Sequence, residues 1–143
     1  MRDAIAIASP ATNTGDVPVG AIVINKDGIV IGKGSNEREA NNDPTAHAEI
    51  VAIRNAASRL QNSRLDGCTL IVTLEPCAMC AGAMVNARVG RVVFGARSLD
   101  NGACGSLYQL GSDPRLNHEF ETVVDVRADE CGQLLSTYFA GLR

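Results

Sequence analysis

The sequence predicts an α/β fold, a three-layer α/β/α sandwich on a five-stranded mixed sheet, with residues 1-143 forming a single domain. Three observations predict it. Short β-branched apolar runs recur between glycine-rich or polar turns. Apolar residues at helical spacing separate the later runs. From Cys68 to Gly95 the order strand, helix, strand reads as a βαβ unit with parallel neighbours and a right-handed crossover.

Taken in order, Met1 to Thr14 opens with Ala4, Ile5 and Ala8 and reads as a short helix. Val19 to Ile24 is an apolar, β-branched run, Lys26-Asp27-Gly28 a turn, and Ile29 to Gly34 resumes the pattern, which makes a β-hairpin. Glu37 to Asn42 reads as polar loop. Asp43-Pro44-Thr45 has the form of an N-cap followed by a first-position proline, so a helix is expected from Thr45 to about Leu60. Its core-facing positions would be Ile50, Ile53, Ala57 and Leu60. Cys68 to Thr73 is a strand, Cys77 to Val85 a second helix with Pro76 at its first position, and Arg91 to Gly95 a strand. Asn101 to Ser112 is glycine-rich and expected to be mobile. Thr122 to Val126 is a last strand, and Asp129 to Leu142 a last helix.

At 143 residues, with 45 % hydrophobic and 20 % charged, the chain is long enough to bury a core of its own. No window holds an apolar run of membrane-spanning length, and no basic stretch followed by an apolar one opens the chain. A cytoplasmic protein without a membrane partner is expected. Of the five cysteines, Cys68, Cys104 and Cys131 read as small core residues in a reducing compartment.

The chemistry lies in Pro76-Cys77-Ala78-Met79-Cys80 and His47-Ala48-Glu49. Two cysteines three apart share one side of a helical turn, and at a helix N-terminus the dipole favours the thiolate that ligates metal. A third ligand must come from elsewhere, and His47 sits at the start of its own helix. His47 and Glu49 cannot both meet a ligand beside that helix, because i and i+2 lie about 200° apart. Both can meet one lying over its N-terminal end. Two helix N-termini are therefore expected to face one metal, one bringing His47 and Glu49, the other Cys77 and Cys80. Three protein ligands and an open position make a catalytic zinc pattern, with one Zn2+ per subunit. Glu49 would take a proton from water at that position and hand it to the leaving group. A thioredoxin-like reading of Cys77-x-x-Cys80 leaves His47 and Glu49 unexplained. A closed structural zinc would need His118 or Cys104 as fourth ligand.

With those residues in place, the chain resembles the bacterial tRNA-specific adenosine deaminases, within the cytidine-deaminase-like superfamily. The likeness rests on Val17-Pro18-Val19-Gly20-Ala21, on Asp43 to Ile50, on Thr73-Leu74-Glu75-Pro76-Cys77-Ala78-Met79-Cys80-Ala81-Gly82-Ala83, and on Gly90 to Arg97. The short zinc signature is shared by base deaminases generally; the longer strings and a histidine as first ligand point to the tRNA branch. The resemblance implies a homodimer acting on a tRNA anticodon stem-loop, converting adenosine to inosine at the wobble position. By the same resemblance Asn36 would hydrogen-bond the base, the Ala48 N–H would contact the attacking oxygen, and Leu74 and Pro76 would wall the pocket. Ser98 stands where the family commonly has an aspartate that touches a flanking ribose. Tyr138 to Arg143 forms a shorter, less basic end than in relatives with extended tails. The rival reading, with the same zinc and Glu49, is a deaminase of a free base or nucleoside such as guanine or cytosine.

A net charge of −3 fits an RNA partner poorly. From Arg54 to Arg97, however, six basic residues face two acidic ones, whereas from Asp113 to Glu130 six acidic face two basic. A basic face near the site is therefore expected, with Arg88, Arg91 and Arg97 as RNA-contact candidates beside Ser98.

Overall fold

The computed structural model describes residues 1–143. Five strands form one sheet: β1 (Gly20–Ile24), β2 (Val30–Ser35), β3 (Thr69–Leu74), β4 (Arg91–Ala96) and β5 (Glu121–Val123), in the order β2-β1-β3-β4-β5. β1 runs antiparallel to both β2 and β3, and β3, β4 and β5 are parallel. The helices are α1 (Arg2–Ala8), α2 (Arg38–Asn41), α3 (Ala48–Leu60), α4 (Ala78–Ala87) and α5 (Ala128–Gly141). None is long and apolar enough to cross a membrane. The predicted mixed sheet and three layers are present.

Strand register sorts the layers, because residues paired across neighbouring strands share a face. Gly34, Ala21, Val72 and Phe94 are partners in successive strands. With Val23, Leu70 and Val92 they form the core face, and Ala48, Ala52, Ala56, Ala81 and Met84 from α3 and α4 pack in the same cluster. The other face takes α1 and α5, where Gly20 meets the backbone of α1 and Gly95 meets Cys131.

Small residues let the helices come unusually close. A Cβ on Gly34 would lie 2.6 Å from the backbone N of Ala52, and one on Gly32 would lie 2.7 Å from the N of Ala56. Alanines at 48, 52 and 56 give the facing stripe of α3 the same minimal size. Helix and strand thus touch backbone to backbone, and the start of α3 is fixed relative to the sheet.

Four expectations need correction. Glu37 to Asn42 is not a loop throughout, since Arg38–Asn41 forms the short helix α2. The buried Asp16 carboxylate accepts the Glu39 N–H at 2.8 Å and the Ala40 N–H at 3.1 Å, satisfying first-turn donors from more than twenty residues away. Asp43 and Pro44 do not open α3. Asp43 instead accepts the Thr45 N–H at 2.9 Å and closes a local turn, and the helix begins at Ala48 with His47 as its extended N-cap. Pro76 likewise precedes the helix, with Cys77 as N-cap of α4. Leu60, expected in the core, is 44 % exposed at the last turn of α3, beyond the sheet edge that Ala56 still touches.

Gly34→Ala should cost about 2 kcal/mol or more in urea unfolding, since a methyl group here meets backbone that cannot rotate aside. An unchanged midpoint and slope would refute the close-contact account.

Candidate active site

The site forms where the N-termini of α3 and α4 meet. His47 and Cys77 both occupy N-cap positions in extended backbone, φ −68° with ψ 155° and φ −77° with ψ 177°. An N-cap side chain projects past the helix end instead of along its flank. That resolves the angular conflict between His47 and Glu49: His47 lies outside the helix, and Glu49 on its first turn. Cys80 follows one turn into α4 and is fully buried.

These placements put the His47 Nδ1 3.6 Å from Cys77 Sγ and 3.5 Å from Cys80 Sγ, and all three donor atoms lie within 4.8 Å of one another. On a tetrahedral zinc with Zn–N near 2.0–2.1 Å and Zn–S near 2.3 Å, nitrogen and sulfur ligands stand about 3.6 Å apart. One imidazole nitrogen and two sulfurs at these separations fit zinc. With Nδ1 turned to the sulfurs, Nε2 is left to carry the ring proton. His118 takes no part. Its Nε2 bonds the Val89 carbonyl at 2.7 Å, which removes it as a fourth ligand. Cys104 is buried and lies outside the donor group, so the closed structural-zinc reading has no support.

The electrostatics follow from crowding. Bonding to the Cys80 thiol and to His47 holds Cys77 down at about 4. The Cys77 sulfur, with burial, raises Cys80. The two sulfurs therefore share a proton that a divalent cation would displace. The bond to Cys77 also raises His47. Glu49 is 4 % exposed, and burial pushes its carboxyl up to about 7, against the pull of its own backbone N–H and of His47. A carboxyl poised near neutrality can both accept and return a proton.

The donors open onto a cavity of about 360 Å³ whose lining includes Asn36, Ala48, Glu49, Leu74 and Ser98. Asn36 is anchored as well as exposed to the cavity: its Nδ2 donates to the Val17 carbonyl at 3.2 Å and its Oδ1 accepts the Arg38 N–H at 3.4 Å. Ala48 is the first residue of α3, where backbone N–H groups have no intrahelical acceptor. Pro76 does not line the cavity. It is fully buried, and its carbonyl accepts the Ala103 N–H at 2.8 Å. A larger groove of about 650 Å³ lies between α1 and α5, on the other side of the sheet, and holds none of the donors.

The arginine expectations fare worse. Arg88 is the C-cap of α4 and Arg91 opens β4, both at the end of their elements away from the metal donors. Arg88 bonds the Asn117 carbonyl at 3.1 Å, and Arg91 pairs with Glu121 at 2.7 Å. Arg97 leaves β4 on the correct side but forms two bonds to Asp125, at 3.1 and 2.9 Å. Sequence spacing marks which arginines are neighbours in the chain and not which end of an element they occupy. The basic residue that does line the cavity is Arg38, which has no acidic group within 4.0 Å. Its position two residues after Asn36 was the available signal. Asn101 and Glu75, also in the lining, likewise went unanticipated.

The cytidine and deoxycytidylate deaminase zinc-binding region matches residues 1–96, a span that holds all three donors and Glu49. The tRNA-specific adenosine deaminase of Haemophilus influenzae is 48 % identical over 139 residues, covering 97 % of this chain and 80 % of that protein. A solved tRNA:A34 deaminase, studied for A-to-I editing at the wobble position of transfer RNA, has a TM-score of 0.88 at 39 % identity, covering 92 % of this chain and 95 % of the other. The guanine deaminase of Nitrosomonas europaea has a TM-score of 0.78 at 27 % identity, covering 97 % and 82 %.

Cys80→Ala should lose stoichiometric zinc and unfold at lower temperature, because metal binding is coupled to folding. Glu49→Ala should keep its zinc and lose turnover. Zinc analysis beside a thermal melt checks both; a zinc-loaded Cys80→Ala, or a metal-free Glu49→Ala, would reverse the division of roles.

Proposed function

We propose that this chain, which belongs to the tRNA-specific adenosine deaminases of the cytidine and deoxycytidylate deaminase family, converts adenosine to inosine at the wobble position of a tRNA anticodon. The observation that carries the reading is the His47, Cys77 and Cys80 donor group beside a buried Glu49, within a chain so similar over nearly its whole length to a tRNA-specific adenosine deaminase.

His47, Cys77 and Cys80 would hold one zinc. Bound there, zinc supplies a Lewis acid that brings the pKa of a water to about 7. The rest is done by side chains and backbone. An unstacked adenine enters the cavity, Asn36 and the Leu74 wall orient it, and the Ala48 N–H faces the attacking oxygen. Glu49 accepts a proton from the attacking water and gives it to ring N1, then takes the proton of the new C6 hydroxyl and gives it to the leaving amine. Water adds at C6, the C6–N6 bond breaks, and ammonia departs, so adenosine and water become inosine and ammonia.

RNA binding needs cations that are not already paired. Arg38 meets that condition at the cavity, whereas Arg97 reaches phosphate only by giving up Asp125. We therefore assign Arg38 as the phosphate contact nearest the reacting base, with Ser98 and Asn101 beside the flanking nucleotide. A homodimer would cover part of the exposed apolar surface, to which Met79, Leu107 and Tyr108 contribute. The tRNA pool the enzyme would serve is cytoplasmic.

The deciding assay offers the purified protein an anticodon stem-loop with adenosine at the wobble position, beside free adenosine, guanine and cytosine. Inosine in the stem-loop without ammonia from the free compounds is expected, from a particle of about twice the 15.0 kDa chain mass by light scattering. Turnover of guanine with an untouched stem-loop would move the protein to the free-base branch. Arg38→Ala should weaken stem-loop binding at low salt and reduce the slope of log affinity against log salt by about one. An unaltered slope would remove Arg38 from the RNA surface.

A further inference from the structure

We infer that Glu75 is a positioning residue that sets the substrate-facing wall of the cavity through the loop from Ser98 to Ser106; the inference rests on the deaminase reading above. Glu75 is 3 % exposed, and it stands directly between the end of β3 and the segment that carries Cys77. Its carboxylate accepts four hydrogen bonds, all from that loop. Oε1 takes the Ser98 N–H at 3.3 Å and the Ser106 hydroxyl at 2.5 Å. Oε2 takes the Cys104 N–H at 3.2 Å and the Ser106 N–H at 3.0 Å.

A buried carboxylate that gathers three backbone N–H groups and a hydroxyl gives a loop without helix or strand the fixed shape it otherwise lacks. Gly102 shows how tightly the loop is wound round it, for a Cβ there would fall on the carboxylate itself. The same loop is fastened to the metal-donor segment by the bond from the Ala103 N–H to the Pro76 carbonyl, 2.8 Å, and by an antiparallel bridge between Cys77 and Gly102. Cys77, Glu75 and the loop therefore form one unit. The loop's outer end carries Ser98 and Asn101 into the cavity lining. At Ser98 the N–H is held by Glu75 and the carbonyl closes the turn by accepting the Gly102 N–H at 2.8 Å. Removing the first of these bonds frees the wall while leaving the donor segment in place.

Glu75→Gln isolates that bond. The amide oxygen can keep the Cys104 and Ser106 N–H groups, and the amide nitrogen can donate to the Ser106 hydroxyl. Only the Ser98 N–H is left facing another donor. In stem-loop deamination, KM should rise about tenfold while kcat changes less than about twofold, with full zinc content, a cooperative melt and a melting temperature lowered by no more than several degrees. Amide hydrogen exchange at Ser98 should accelerate at least about tenfold, with Cys104 and Ser106 still protected. An unchanged KM overturns the proposal. So does a variant that fails to fold, or that loses zinc and kcat together, because Glu75 would then be a structural anchor only. If wild-type protein leaves the stem-loop untouched, the functional reading has failed instead, and the exchange measurement still tests the hold of Glu75 on Ser98.

Discussion

Helix α3 lies on strand β2 with no side chain between them at Gly32 and Gly34, and the place of the site follows from that contact. The alanine stripe and the two glycines leave the helix one depth at which to sit, because backbone cannot yield as a flexible side chain can. With the helix axis fixed, its first residue is fixed, and so is the N-cap His47 just beyond it. The same sheet fixes the other half. β3 delivers Cys77 to the start of α4, and parallel β-α-β connections bring such helix starts to the carboxyl edge of the sheet. Two N-termini meet because two rigid attachments aim them, and loops need only fill in behind.

That meeting of positive helix ends accounts for the composition of the site. First-turn N–H groups and dipole ends favour negative charge, and beside the His47 imidazole the residues found there are two sulfurs and a carboxyl. The arginines of the region lie elsewhere and are occupied, Arg97 by Asp125 and Arg91 by Glu121. The helix ends suit thiolate and carboxylate, and guanidinium groups beside them would compete for the same anions. Arg38 escapes this because it stands on α2, across the cavity mouth. A chain of net charge −3 can then present an unpaired cation at the cavity.

Much of this was legible in the sequence. Periodicity gave all five strands and helices α3, α4 and α5 to within about three residues, whereas α1 stops at Ala8 and the expected helix up to Thr14 continues only as a 3-10 segment. The pairing of His47-x-Glu49 with Cys77-x-x-Cys80 anticipated the cluster that the structure brings together, with Glu49 buried on the same helix start, because metal chemistry restricts both residue type and spacing. What stayed hidden depended on contacts distant in the chain. α2 exists because Asp16 receives its first N–H groups, and nothing near Arg38 announces that. Asp43 and Pro44 had the form of a helix start, but a local turn took the Asp43 side chain, so His47 became the cap. The stretch from Asn101 to Ser112 has the glycine content of a mobile loop, yet Glu75 organises its first half from a strand end more than twenty residues earlier. Composition cannot report an acceptor that lies on another element.

Glu49 and Glu75 sharpen the point, since both are buried glutamates lining one cavity and their partners give them opposite work. The four bonds to Glu75 all come from a loop that has no other acceptor for those groups, so its oxygens are committed and it has none free to offer a reacting proton. Glu49 has its own backbone N–H and the neighbouring ligand side chains for company, and burial holds it near neutrality. A proton-transfer group has to exchange its proton at little cost, whereas an anchor needs its oxygens taken up by donors. The number of donors around each carboxyl separates the two, and it is set by what the helix and the loop bring near. Identical side chains lining one cavity thus stand in different company, through hydrogen bonds that neither residue's immediate sequence contains.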